Sequence, residues 1–154
     1  MKRLLLFLFA FAFTQSVRSQ ELGLRFGDRF VSNVSIDGVF SLGQFSRIHA
    51  DLSVNDGLGI EALWNPLYRP VSGDAPGLDW YLGVGPWMFI GDPFLLGAAG
   101  EIGLEYHFAD VPVAIGADWR PSLVIVDHTD MIWDHFGLNI RYVFGGTGGK
   151  SSTK

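Results

Sequence analysis

The stretch "EIGLEYHF", residues 101–108, alternates strictly between two kinds of side chain. Charged residues and glycine occupy the odd positions, and aliphatic or aromatic residues occupy the even positions. A period of two is typical of a β-strand, whose successive side chains point to opposite faces. This strand therefore has an ionisable face, with Glu101, Glu105 and His107, and an apolar face. The fold depends on which of these two faces lies inside.

The same alternation recurs along the rest of the chain, and no helical period competes with it. The other seven segments are 21–26, 34–42, 47–54, 58–65, 79–84, 113–120 and 135–144. Short turn sequences at 43–46, 55–57, 91–93 and 109–112 are typical of hairpins between antiparallel neighbours, whereas the connectors 66–77 and 127–135 are longer. The pattern predicts an all-β fold over residues 20–144: an eight-stranded antiparallel up-and-down β-barrel.

Residues 1–19 have the layout of a secretory signal peptide. Lys2 and Arg3 form a basic start, residues 4–13 are apolar, and a polar stretch leads to a cleavage point after Ser19. A membrane anchor is disfavoured because a spanning helix needs ~20 apolar residues. At the other end, residues 145–154 predict a flexible polar tail, and no second domain is indicated.

The amino-acid composition argues against a nucleic-acid partner and excludes bonds that need cysteine. Without residues 1–19, eight basic residues remain against sixteen acidic ones, a net charge of −8. An acidic chain argues against nucleic acid as a partner. The absence of cysteine excludes disulfides and thiolate metal sites. Lysine occurs only as Lys2, Lys150 and Lys154, which is unusual because soluble surfaces normally carry it.

The distribution of charge indicates that the apolar faces point outward. One face of the predicted strands is uncharged, and the other mixes charges with glycine. Arginine facing lipid at the bilayer midplane costs ~2–4 kcal/mol, and only one assignment of faces avoids this cost. A sheet in a bilayer must close on itself, and side chains just fill the interior of eight strands. We expect a transmembrane barrel with a polar plugged interior; the alternative is a soluble lipocalin-like barrel.

Aromatic residues lie near the ends of the predicted strands. This is where a membrane barrel carries its interfacial girdles. The predicted girdle comprises Trp64, Trp80, Tyr106, Phe108, Trp119, Tyr142 and Phe144.

The ionisable faces predict a salt-bridge network inside the barrel, because buried charges need partners. Its predicted members are Glu21, Arg25, Asp37, Arg47, His49, Asp51, Glu61, Asp79, Glu101, Glu105, His107, Asp118, Arg120 and Arg141. Eight carboxylates face four arginines, so protonated acids, charged histidines, cations or water complete the balance. Glycines on the same face leave room for arginine. A proton or ion pathway is an alternative that the tight packing of eight strands disfavours.

His49, Asp51 and Ser53 have the composition of a hydrolase triad on one strand face. Their spacing argues against catalysis, because same-face neighbours lie ~6.6–6.8 Å apart. Proton transfer needs ~2.6–3.2 Å. We therefore predict no catalytic residue and no cofactor.

The connector 127–135 predicts an exposed loop. Its members of interest are Asp127, His128, Asp130, Trp133 and Asp134. Carboxylates and imidazoles can bind cations, but the irregular spacing favours a solvated loop without a metal. The apolar tip at 131–133 could instead enter the outer leaflet or touch a partner.

The chain resembles the small eight-stranded outer-membrane β-barrels of Gram-negative bacteria, over about residues 21–144. It is most similar to an uncharacterised exported branch with a "GLEY-x-F … DWRPS" pattern, which stands here at 103–108 and 118–122. The resemblance implies an outer-membrane location, contact with outer-membrane lipid, assembly by the barrel insertion machinery, and no agreed activity.

We expect a monomeric, non-enzymatic protein that supports envelope integrity or makes surface contacts through the 127–135 loop. One alternative is an outer-membrane lipid-modifying enzyme similar to lipid A deacylases, although their outward His-x-Ser is absent from the predicted strands. The other is the soluble lipocalin-like binder. If both termini are periplasmic, the long 66–77 connector lies on the periplasmic side, where turns are normally short.

Overall fold

The fold is described from a computed structural model, which covers residues 20–27, 33–71, 75–126 and 129–145. The predicted signal peptide, 1–19, lies outside the described residues. So does the predicted tail, apart from Gly145.

Ten β-strands make up the described part of the chain, and none of its residues forms a helix that could cross a membrane. The strands are β1 (Gln20–Gly27), β2 (Val34–Ser41), β3 (Arg47–Val54), β4 (Leu58–Pro70), β5 (Leu78–Ile90), β6 (Leu95–His107), β7 (Val113–Trp119), β8 (Ser122–Val126), β9 (Asp130–Ile132) and β10 (Phe136–Phe144).

These ten strands form eight barrel strands. Strands β7 and β8 together count as one barrel strand, because both pair with β6. The chain of β9 and β10 is another, since β9 pairs with β8 and β10 with β7. Neighbouring barrel strands in the sequence pair antiparallel, and the barrel closes where the first strand, β1, pairs antiparallel with β10 from Gln20↔Phe144 to Gly27↔Gly137. The prediction of a closed, antiparallel, eight-stranded barrel is confirmed.

The break between β7 and β8 falls at Pro121, which has no N–H to donate to a sheet. Its carbonyl still accepts a hydrogen bond from the Gly100 N–H of β6, at 2.9 Å. The preceding Arg120 N–H donates to the His135 carbonyl at 2.8 Å. The wall therefore stays joined on both sides of the break.

We call the end of the barrel where β1 begins and β10 ends the lower end. The connections 42–46, 71–77 and 108–112 also lie there. The opposite end, with the connections 55–57 and 91–94, is the upper end.

The prediction that 66–77 is one long connector was wrong. Strand β4 continues to Pro70, and a bulge shifts its register against β5 between Trp64 and Leu67. A bulge adds one residue to one strand and interrupts the period of two, so the alternation stops at the bulge although the strand does not. The connection that remains is 71–77.

Two further predicted boundaries were too narrow. The segment predicted at 79–84 extends to Ile90, and the one predicted at 101–108 begins at Leu95. The predicted loop 127–135 also contains strand β9, which pairs with β8.

The outer surface of the barrel is apolar around its whole circumference. Its exposed side chains include Leu22, Leu24, Ile36, Leu52, Ile60, Leu82, Val84, Ile102, Leu104, Ile115, Leu138 and Ile140. Arg69 departs from the predicted uncharged outer face: at the lower end of β4, it places its guanidinium 3.6 Å from the centre of the Phe45 ring.

The prediction of a polar interior is incomplete, because the lumen also contains an apolar cluster. On the side of β4, β5, β6 and β8, the inward side chains Leu63, Trp87, Phe89, Leu95, Ala99 and Val124 pack together, with Ile132 against them. Most of these residues lie on the strand extensions that the sequence pattern did not reveal.

Inward glycines give the largest lumen side chains room to cross a neighbouring strand. A Cβ on Gly137 would come within 2.2 Å of the Arg25 Cζ. A Cβ on Gly103 would come within 2.3 Å of the Tyr81 Cζ. Both contacts are far below van der Waals distance, so the positions of Arg25 and Tyr81 require glycine opposite them.

Candidate functional site

The fourteen predicted network residues all point into the lumen. Twelve of them are buried, although they carry charges, and Asp79 and His107 are half-buried at the lower end. They form connected groups around Arg141, Arg120, Arg25, His49, Arg47 and His107.

Arg141 joins the last strand to three others in the lower half of the barrel. Its Nε donates to Glu21 on β1 at 2.8 Å, and its Nη1 donates to Asp37 on β2 at 3.1 Å. Its Nη2 donates to Glu105 on β6. One fully buried guanidinium on β10 therefore binds carboxylates from three other strands, β1, β2 and β6.

Arg120 has the corresponding role in the upper half. Its Nη1 contacts Asp51 and Glu61, and its Nη2 lies 2.6 Å from a Glu101 oxygen. Its Nε lies 3.3 Å from Asp118.

A second arginine shares Asp118 with this group. The Nε of Arg25 donates to the Asp118 carboxylate at 3.0 Å, and Asn139 Nδ2 donates to the same group at 2.8 Å. Charge-assisted bonds of this kind are about twice as strong as neutral ones. Asp118 on β7 therefore links β1 and β10 in the upper half of the barrel.

His49 connects the two halves and is completely buried. Its Nε2 lies 2.6 Å from Asp37, and its Nδ1 lies 2.8 Å from Glu101. An ionised carboxylate can only accept hydrogen bonds, so both ring nitrogens must carry a proton to satisfy both partners. The imidazolium then compensates part of the surplus of acids. Arg120 Nη2 lies 3.1 Å from both ring nitrogens, which as N–H donors do not accept a hydrogen bond from it.

Arg47 sits between two aromatic rings near the lower end. Its Cζ lies 4.4 Å from the ring centres of both Tyr68 and Tyr81. Its Nη1 donates to Glu105 at 2.5 Å, and its Nε donates to Asn65 at 3.2 Å. Cation–π contacts of this type stabilise a guanidinium that has left water.

His107 forms the lower boundary of the network. Its Nε2 lies 3.0 Å from Glu21 and 3.8 Å from Glu105, and its Nδ1 lies 3.5 Å from Asp79. The Tyr68 hydroxyl donates to the same Asp79 carboxylate at 3.0 Å. This group of three carboxylates around one imidazole is the part of the network closest to solvent.

Several polar residues of the network were missed in the sequence. Asn65 donates to Glu101 at 2.7 Å, and Ser35 donates to Asp51 at 3.0 Å. Three of these residues lay on the ionisable face of predicted strands, so the alternation could have identified them as lumen residues: Asn65, Ser35 and Asn139. Tyr68 lay in a predicted connector, and nothing in the sequence placed it inside.

Two cavities accompany the network. The upper one, about 30 Å³, touches Arg25, Glu61, Trp87 and Arg120 and is large enough for a single water. The lower one, about 220 Å³, is lined by Glu21, Val39, Ser41, Gly43, Gln44, Ser46, Arg47 and Tyr68.

Two residues of the rejected triad, His49 and Asp51, are engaged in ion pairs. Both ring nitrogens of His49 face Asp37 and Glu101, and Asp51 accepts hydrogen bonds from Ser35 and Arg120. This geometry orients charges against one another and leaves the imidazole no free nitrogen with which to activate a hydroxyl.

The predicted girdle residues lie on the outer surface in two groups, one towards each end of the barrel. Tyr106 contacts Phe108 edge to face at 5.0 Å, and Tyr142 contacts Phe144 at 4.9 Å, both near the lower end. Trp80, half-buried, is also on the lower part of β5. Trp64 is exposed on β4, and its Nε1 donates to Ser46 in the lower connection 42–46.

The upper aromatic group is centred on Trp119. Its ring stacks on Trp133 at 6.3 Å and on Phe136 at 6.4 Å, and its Nε1 donates to the Trp133 carbonyl at 2.5 Å. Of the predicted loop residues, Asp130, Trp133 and Asp134 are exposed. Asp127 and His128 lie outside the described residues.

No protein-family model matches the chain, and no curated protein and no solved structure shows a significant match to it.

Proposed function

We propose that this chain is an outer-membrane β-barrel protein with a non-enzymatic, structural role in the cell envelope. The observation that carries the proposal is the polarity of the barrel, with apolar side chains exposed outside and charged side chains buried inside. Exposed apolar patches on soluble monomers rarely exceed a few hundred Å². Lipid is the surrounding medium that fits an apolar surface extending around the barrel.

Further support comes from the aromatic residues of the outer surface. Tyr106, Phe108, Tyr142 and Phe144 lie towards one end of the outer surface, where interfacial aromatics are expected. In this proposal residues 1–19 direct export, the barrel insertion machinery places the strands in the outer membrane, and the lower end faces the periplasm. The outward orientation of the apolar set favours this location over the soluble lipocalin-like alternative.

A structural role fits the filled interior of the barrel. Ion pairs and an apolar cluster occupy the lumen, so the barrel offers a rigid wall to the membrane. At the upper end, Met131 and Trp133 are exposed beside charged residues, which favours surface contact as a second role of the same protein.

The location is tested by extraction and by a matched pair of substitutions. We expect the protein to leave native membranes only with detergent. Ile140→Arg, in the middle of β10 with its side chain outward, is expected to destabilise the barrel refolded in lipid vesicles by ~2–4 kcal/mol. Val111→Arg, on an exposed apolar residue of the lower 108–112 turn, is expected to cost ~0–1 kcal/mol.

Urea unfolding in vesicles measures both values. Equal losses for the two variants, or a mature chain that is monomeric and folded in plain buffer, would refute the membrane location. The role is tested by deleting the gene and measuring sensitivity to detergent and to large antibiotics. We expect sensitivity to rise and the wild-type gene to restore resistance; an unchanged deletion strain would refute the structural role.

A further inference from the structure

A bulge in β4 places one charged side chain outside the barrel. Between Trp64 and Leu67 the bulge shifts the pairing of β4 with β5 by one residue, and such a shift exchanges the two faces of a strand. Below the bulge, Tyr68 pairs with Tyr81, which is completely buried in the lumen, so the next residue, Arg69, points outward. Without the bulge, the alternation would have kept Arg69 in the lumen. Bulges commonly re-aim a side chain at a functional site, which makes the outward charge a candidate site.

The guanidinium of Arg69 is held in a fixed position on this surface. Its Cζ lies 3.6 Å from the centre of the Phe45 ring, and its Nη1 donates to the Tyr68 carbonyl at 3.2 Å. Both contacts exist before any ligand binds, so less side-chain entropy is lost when a ligand is bound. Arg69 is therefore preorganised although it lies on the outside.

The positive charge of Arg69 has no carboxylate partner among the described residues. Each of the four lumen arginines contacts at least one carboxylate, whereas the Arg69 guanidinium contacts the Phe45 ring and the Tyr68 carbonyl. A guanidinium has five N–H donors, so most of the donors of Arg69 remain for a partner outside the protein. Its planar fork matches the paired oxygens of a phosphate. The charge and the free donors therefore suit an anion of this kind.

The height of Arg69 on the barrel is that of the lower aromatic residues. Arg69 pairs with Trp80, and Trp80 pairs with Leu104 on β6, so these outward side chains form one row across three strands. Tyr106 lies two residues farther along β6, in the next outward row towards the lower end. An outward arginine is costly at the bilayer midplane but is tolerated near the interface. In the proposed orientation, Arg69 therefore lies at the level of the lipid headgroups.

The outer side chains above Arg69 are apolar. On β4, Leu67 and Trp64 follow in the direction of the upper end, and both are exposed, as is Phe45 in the adjoining connection. One cation at the rim with apolar side chains above it matches the order of a phospholipid, whose phosphate lies at the membrane surface and whose acyl chains lie deeper. A free phosphate ion would leave these apolar side chains uncovered, so a phospholipid fits this surface better.

We propose that Arg69 binds the headgroup phosphate of a phospholipid at the lower end of the barrel, with an acyl chain lying along Leu67 and Trp64. The proposal rests on the proposed membrane location and adds a lipid selectivity to it. The phosphate presents a pair of oxygens to the outward N–H groups, while the Phe45 ring keeps the guanidinium in place. Lipids whose headgroups lack a phosphate bind this surface more weakly.

The test is native mass spectrometry of the mature chain released from non-ionic detergent micelles. Phosphatidylglycerol is titrated against digalactosyl diacylglycerol, chosen with the same acyl chains and without a phosphate. We expect the wild type to retain one molecule of phosphatidylglycerol in preference to the galactolipid. Arg69→Met is expected to weaken phosphatidylglycerol binding by about fivefold, which corresponds to the ~1 kcal/mol that one arginine gains near an anionic lipid surface.

Leu104→Met is the matched control, because Leu104 is exposed in the same row on another strand. It is expected to bind both lipids as the wild type does. Equal phosphatidylglycerol binding by Arg69→Met and Leu104→Met, or a wild type without preference between the lipids, would overturn the proposal. Inorganic phosphate, added as a competitor, is expected to leave the lipid bound. Displacement of the lipid by it would show that a free anion is recognised and would overturn the lipid assignment.

A variant that does not fold is identified by its gel mobility before and after heating. In that case the side-chain ¹⁵N signal of Arg69 in the wild type decides. We expect this signal to shift on addition of phosphatidylglycerol and not of the galactolipid, and an unchanged signal would overturn the site. The detergent requirement of the wild type tests the membrane location separately. A barrel that needs detergent but does not prefer the phosphate lipid would refute the lipid site alone.

Discussion

On the side of β1, β2 and β10 the lumen is filled by Arg25, Arg141 and their carboxylate partners, whereas on the side of β5, β6 and β8 it is filled by Trp87 and its apolar neighbours. Both sides exclude solvent, but they specify the fold differently. Apolar packing is non-directional and tolerates swaps that conserve volume. Ion pairs depend on which atoms meet, and a register slip of one residue would turn every charge of the shifted strand outward.

We infer that the ion pairs of the charged side fix the register of the strands, whereas the apolar side chains fill the remaining volume of the lumen. The strongest test of this inference is Arg141→Met. The substitution keeps a long side chain but removes the positive charge that binds Glu21, Asp37 and Glu105. We expect a loss of at least ~3–5 kcal/mol, the range for breaking a buried ion pair, measured by urea unfolding in micelles.

The control for that variant is Arg69→Met, on the outer surface at the lower end of β4. A surface change of this kind is expected to stay within ~0.5 kcal/mol. Equal losses for Arg141→Met and Arg69→Met would show that the network does not hold the barrel together.

The apolar side is tested by Leu63→Ala, which leaves a cavity at a fully buried position of β4. We expect a loss of ~2–5 kcal/mol in the same unfolding experiment. Leu138→Ala, at an exposed position of β10, is the matched control and should lose much less. If the two variants were equally stable, the apolar cluster would not be a packed core.

The smallest expected effect concerns the close approach of Arg25 to Gly137. Gly137→Ala is expected to cost ~1–3 kcal/mol, because the new methyl group would overlap the guanidinium. Gly43→Ala, where no atom lies within 4 Å of the added carbon, should be close to neutral. A neutral Gly137→Ala would mean that Arg25 moves freely within the lumen.

The contrast between the two sides also explains what the sequence could predict. The eight strands were visible where polarity alternates, because inward and outward residues there differ in chemistry. Beyond Val84, the inward Trp87 and Phe89 are as apolar as the outward Met88 and Ile90. A period of two cannot be seen when both faces are apolar, so the upper parts of β5 and β6 were missed.

The ion pairs inside the lumen could not be predicted from the sequence for another reason. Alternation assigns a residue to a face, but it does not give the height at which that residue meets the opposite wall. His49 contacts Asp37 and Glu101 because of the register of β2, β3 and β6 and because the closed wall brings Glu101 across the lumen. The bulge after Trp64, which brings Tyr68 to Asp79, has no counterpart in the polarity pattern.

The position of the arginines along the chain affects the order of assembly. Asp37, Asp51 and Glu61 are synthesised early, but Arg120 and Arg141, which neutralise them, belong to the last quarter of the chain. A polypeptide that ended before Arg120 would keep Asp51 and Glu61 without the arginine that contacts both of them. The barrel therefore closes with its full set of ion pairs only when the last quarter of the chain is present.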